Sequence, residues 1–144
     1  MRKPGYIFLP HTTDAYIEAV GATLEEAMQF AGMALIDTMC AINSISPNIA
    51  EHIEASGDDE VTLLYDWLES ILLKFDLKGR VYSKFKVAPI AKSAAGLHAL
   101  AEVSGEKYDR QKHGPKVEVK AVTYHRMEVL REDNSTILRF ILDL

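Results

Sequence analysis

Apolar and polar positions alternate through the last part of the chain. Val117, Val119, Ala121 and Thr123 fall on one side, and Glu118, Lys120, Val122 and Tyr124 on the other. That is the period of a strand with one face on a core. Met127 and Val129 lead outward to Glu132-Asp133-Asn134-Ser135, a turn cluster, and Thr136–Leu142 returns as a largely apolar strand. The segment reads as a hairpin. It ends on Asp143, a carboxylate at the rim of a sheet, where folding needs no charge.

Upstream, Tyr6–Leu9 is a short apolar run closed by Pro10, and Ala15–Val20 alternates again, led in by Asp14. Thr23-Leu24-Glu25-Glu26 has the form of a capping box. Leu24, Ala27, Met28, Ala31, Leu35, Met39 and Ile42 then recur at three and four, the stripe of a core-facing helix. Phe30, Met33 and Ile36 widen it, so more than one side should be covered. Ile49–Ser56, which carries His52, reads as a weak edge strand. Asp58, Asp59 and Glu60 open a second helix, where acids meet unpaired amides. Its stripe runs from Leu63 through Trp67 to Phe75 and stops near Gly79. Arg80–Ile90 and Leu97–Glu106 alternate as strands, and Lys107–Pro115 reads as a polar loop with His113 exposed. The expected architecture is a single α+β domain over residues 1–144, a mostly antiparallel sheet with two amphipathic helices on one face.

Composition narrows the setting. The 144 residues are 48 % hydrophobic and 26 % charged, with a formal net charge of −5. An acidic balance supplies no field for tight unassisted binding to nucleic acid. One cysteine, Cys40, cannot form an internal disulfide, which suits a reducing cytoplasm. The opening MRKPGYIFLPH is basic and then apolar, but too briefly for a signal peptide or a membrane span.

Candidate chemistry is sparse. Asp14 and Asp143 lie at strand ends and would converge if the first and last strands were neighbours. Converging carboxylates repel unless a cation or proton lies between them. A hard cation such as Ca²⁺ or Mg²⁺ takes an all-oxygen set, to which an oxygen of Leu144 could add. Otherwise the two are solvated acids. His11, His113, His125 and Cys40 show no zinc-type spacing, and no nucleophile accompanies them. His125 suits a hydrogen bond that fixes a turn. Lys120 either snorkels outward or pairs with one of the acids. No phosphate-binding glycine loop and no GxSxG is present. A metal-dependent phosphoester hydrolase would need a base or nucleophile tied to the acidic pair.

Several segments together resemble the archease family. They are His11-Thr12-Thr13-Asp14, Gly21 before the helix at Thr23, Leu63–Leu68, Gly105-Glu106 with Asp109 and His113, Val119–His125, and terminal Asp143-Leu144. The resemblance runs from about Gly5 to Leu144. It implies a non-catalytic protein that assists the GTP-dependent ligase joining tRNA halves, promoting ligase guanylylation and repeated turnover. A chaperone-like role toward a tRNA cytosine methyltransferase is the alternative it implies. It also implies a divalent-metal site on Asp14, Asp143 and Leu144, with calcium expected and Mg²⁺ or Mn²⁺ as substitutes. Lys120, His125, His11 and Glu69 would be supporting or partner-facing. Protein partners, no membrane and a cytoplasmic setting complete the expectation. One departure stands out: the family's second helix usually reads WLNELL or WLDELL, but here Ser70 occupies the glutamate position. Glu69 comes one place earlier, rotated by about 100° around the helix.

Overall fold

The structure, a computed structural model, describes residues 2–11 and 13–144. Met1 and Thr12, the latter part of the motif around Asp14, lie outside the described residues. Strands β1 (Gly5–Leu9) and β2 (Ala15–Gly21) precede helix α1 (Leu24–Met39), and β3 (Ile49–Gly57) precedes α2 (Glu60–Lys78). Then follow β4 (Arg80–Val87), β5 (Ala91–Ser93), β6 (Gly96–Lys107), α3 (Arg110–His113), β7 (Ala121–Glu132) and β8 (Ser135–Asp143). Pairing is antiparallel throughout, and the α+β class is as expected.

The sheet is divided in two. One part has the order β1-β2-β8-β7; the other is β3-β6-β4, with β5 on β6. Instead of lying on one face of one sheet, each helix touches both: α1 meets β2, β8 and β4, while α2 meets β3 and β7. This is why both helices are apolar over more than one stripe. Trp67 of α2, fully buried, donates from Nε1 to the Met28 carbonyl of α1 at 2.8 Å and ties the helices together.

Local signals set the ends. The Thr23 hydroxyl accepts from the Glu26 N–H at 3.1 Å, and the Glu26 carboxylate reaches back to the N–H of Ala22 at 2.8 Å. Asp59 and Thr62 form the reciprocal box of α2, and Gly79, at φ 62°, stops it. At Asp133 and Asn134, φ is 55° and 58°, so the β7–β8 turn has two residues in the left-handed region, as a tight hairpin requires.

Tertiary contacts move three boundaries. Helix α1 stops at Met39, not at Ile42, because Cys40 bridges to Pro115 and the Ala41 N–H donates to the His113 carbonyl. Residues 117–120 do not join the ladder, and β7 begins at Ala121. The N–H groups of Lys116 and Val117 instead donate to the carbonyls of Met39 and Thr38, which the end of a helix leaves unsatisfied. The polar loop also contains α3, and its His113 is fully buried rather than exposed.

Candidate metal centre at the sheet rim

Strand β8 lies between β2 and β7, and its register decides what meets at the rim. Ala15 pairs with Leu142, so Asp14 and Asp143 stand one position further along neighbouring strands. On the other side Ala121 pairs with Asp143, and the Lys120 N–H donates to the Asp143 carbonyl at 2.7 Å. Leu142 is buried and Leu144 packs partly against the core, so Asp143 is held between two anchored residues.

The environment is electrostatically one-sided. Asp14 has His11 Nδ1 at 3.9 Å from its carboxylate, and both side chains are about a quarter exposed. Among the described residues, no lysine or arginine comes within 4.0 Å of either rim carboxylate. Oxygen donors on adjacent strand ends without a protein cation suit a hard divalent ion, which would offset their repulsion. Among the described residues, no three His, Cys, Asp or Glu side chains could hold a metal together. The fit to a cation therefore depends on main-chain oxygen as well, for which Leu144, next to Asp143, is the candidate.

Other expected residues divide. Lys120 takes part through its main chain; its side chain is exposed and has no ion pair among the described residues. His125 is exposed too, and its N–H donates to Thr123 Oγ1 at 3.1 Å, fixing the chain where the β7–β8 register slips between Thr123 and Glu128. Glu69 lies beside the Tyr65 hydroxyl and raises the Tyr65 pKa; the Tyr65 ring stacks on Tyr124 of β7 at 4.1 Å. Ser70, one step round α2, borders β3 beside His52. The shift from Ser70 to Glu69 thus moves the carboxylate to the β7 side of the helix.

Sequence reasoning missed Arg126. It sits in the register slip at φ 56°, its guanidinium 5.8 Å from the centre of the Tyr16 ring, which His11 meets edge-on at 6.0 Å. The available signal was the break in alternation after Tyr124. His113, read as a loop residue, is a structural anchor. The Asp109 N–H donates to its Nδ1 at 2.8 Å, so the ring proton is on Nε2 and donates to Glu106, also at 2.8 Å. Lys112 first, then His113 and the Ser46 N–H, hold Glu106 down at about 2. Burial pushes the Cys40 thiol up to about 11, which leaves it unreactive.

Among the described residues, no helix is long and apolar enough to cross a membrane. Comparison with known proteins agrees along nearly the whole chain. Residues 6–144 match the model of the archease protein family (MTH1598/TM1083). The chain is 37 % identical to the archease of Methanopyrus kandleri over 94 % of its length and 96 % of that protein's. It is 38 % identical to that of Methanothermobacter thermautotrophicus, over 97 % and 99 %. The solution structure of Methanobacterium thermoautotrophicum protein 1598 superposes with a TM-score of 0.83 at 35 % identity, covering 97 % of this chain and 99 % of that one. A crystal structure of a Thermotoga maritima archease, described as a possible chaperone, shares the fold with a TM-score of 0.60 at 21 % identity, over 100 % and 98 %. With the fold, the family model and the curated relatives in agreement, the chain belongs to the archease family.

Proposed function

We propose that this chain is a non-catalytic, cytoplasmic activator of the GTP-dependent RNA ligase that joins tRNA halves. It would promote ligase guanylylation and repeated turnover through the rim that Asp14 and Asp143 share. The observation that carries this reading is the acid pair itself: two carboxylates on adjacent strand ends with no lysine or arginine against them among the described residues. Membership of the archease family directs the reading toward an RNA ligase.

Asp14, Asp143 and a main-chain oxygen of Leu144 would hold a divalent cation, with Ca²⁺ suited to such oxygen donors and Mg²⁺ or Mn²⁺ as substitutes. A cation there supplies positive charge between the two acids. The chain does the positioning: β8 fixes Asp143 between β2 and β7, the Lys120 N–H holds its carbonyl, and His11 stands beside Asp14. Two groups suited to acid–base or nucleophilic work are otherwise engaged. His113 is bonded at both ring nitrogens, and the Cys40 thiol is buried. This favours recognition of a protein partner over turnover of a substrate.

The test is a multiple-turnover RNA-ligation assay with purified ligase and GTP, with and without this chain. Substoichiometric amounts should accelerate ligation, while the chain alone neither ligates RNA nor hydrolyses GTP. Failure to accelerate, or nucleotide turnover by the isolated chain, would sink the reading.

A further inference from the structure

Among the described residues, strand β3 has a strand partner, β6, on one side only. Ser56 fixes the direction of its free groups: the Ser56 N–H donates to Asp66 Oδ2 of α2 at 2.8 Å, away from β6. The β3–β6 register is unbroken from Ile49 to Gly57, so by the two-residue period the main-chain groups of Ala50, His52 and Glu54 face the same open edge. Asp66 closes the edge at Ser56, and the opening is centred on His52 and Glu54.

An apolar groove of about 720 Å³ follows this edge. Leu73 and Leu77 of α2 and Leu100 of β6 line it, with 44 %, 78 % and 43 % of their surfaces exposed, beside Lys74 and Lys78 of α2. Three large aliphatic side chains beside unpaired strand groups form a surface that a second strand would cover.

We propose that the occupant is a second copy of this chain, its β3 antiparallel to the first about a two-fold axis through Ile53. Charge complementarity favours both the occupant and the register, although Glu54 also has His98 Nε2 of its own chain at 3.8 Å. In this pairing His52 of each copy stands opposite Glu54 of the other, twice per interface. Both belong to the set whose N–H and C=O face the edge, so each such pair exchanges two main-chain hydrogen bonds. Both side chains also lie on the outer face of the sheet, because Ile53 between them is buried inward. Moving the axis to His52 or to Glu54 would set like beside like, which cross-strand pairs disfavour. On the inner side the two-fold brings the Leu73 and Leu77 stripes of the two α2 helices toward one another. The contact is self-complementary, as a two-fold dimer demands.

Sedimentation equilibrium of the full chain over a wide concentration range tests this. The mass should rise from 16.1 kDa toward twice that value. His52→Glu, which sets two glutamates face to face, should weaken association about tenfold or more. Glu54→Lys alone should weaken it too. An equimolar mixture of the two variants should restore association, because the carboxylate introduced at position 52 of one copy then meets the ammonium introduced at position 54 of the other. Circular dichroism establishes that each variant is folded, and Leu77→Glu provides a separate disruption of the groove. A mass that stays at 16.1 kDa throughout overturns the proposal. So does a dimer indifferent to both His52→Glu and Leu77→Glu, or a mixture that fails to recover. A monomer whose 49–57 amide resonances shift only with an added extended peptide would also overturn it, since the occupant would then be a different chain.

Discussion

The Asp143 carbonyl accepts from the Lys120 N–H at 2.7 Å, and the Lys120 ammonium has no ion pair among the described residues. The lysine therefore serves the rim through its backbone. Lys120→Met should leave ligase activation and melting temperature unchanged. Lys120→Pro removes the donor and should cost about 1–2 kcal/mol, with a matching loss of activation. Thermal melts and ligation assays on the two variants decide the matter; a defect in Lys120→Met would give the ammonium a role after all.

Deleting Asp143 and Leu144 should abolish activation while lowering the melting temperature only modestly. The apolar run Ile137–Leu142 pins β8 without them. Asp14→Ala should behave alike, and combining the changes should add little, because both break one site. Calcium titration by calorimetry on the same variants reads the site without the ligase: binding should vanish in each. A truncated chain that still activates would return the two aspartates to the status of solvated strand ends.

Glu106, held at about 2 by Lys112, His113 and the Ser46 N–H, gives a pH signature. Its folded pKa lies below the ordinary 4.5, so its stabilisation is complete above that value and lost as pH falls toward 2. Glu106→Gln should melt below the parent chain at neutral pH, and the gap should close on acidification. A gap that stays constant through that window would mean the carboxylate's charge contributes nothing.

Gly105 leaves no room for a side chain. A Cβ there would fall on the Val81 carbonyl oxygen and the Tyr82 backbone, where the β4–β6 register slips between Tyr82 and Lys84. Gly105→Ala should destabilise by about 3 kcal/mol, the upper range for overpacking. Chemical denaturation measures it, and a loss under about 1 kcal/mol would mean β4 can shift freely.

What is legible in the sequence is local. Thr23, Asp59 and Gly79 mark helix ends by their own chemistry, and Asp133-Asn134 has the residues a two-residue hairpin turn favours. Asp14 and Asp143 read as strand-end acids, and the register sets them on neighbouring strands. Illegible features rest on distant partners. Residues 117–120 alternate like a strand, but 116 and 117 satisfy the end of α1 instead. His113 is polar by composition and buried because Glu106 and Asp109 receive it. Division of the sheet depends on helices touching both halves, and no stretch of either strand set encodes that. Arg126 follows from a register slip, which periodicity reveals only as a lapse.

Placing β8 between β2 and β7 has a kinetic consequence. The bond between Arg139 and Glu18 already spans 121 positions, and the rim lies further along the same pair of strands. Contacts of such sequence separation form late, since the loop they close must first lose its freedom. Asp14 and Asp143 therefore come together only once β2 and β8, far apart in the chain, have paired. Any partner that reads both acids at once distinguishes a chain in which β2 and β8 are paired from one in which they are apart.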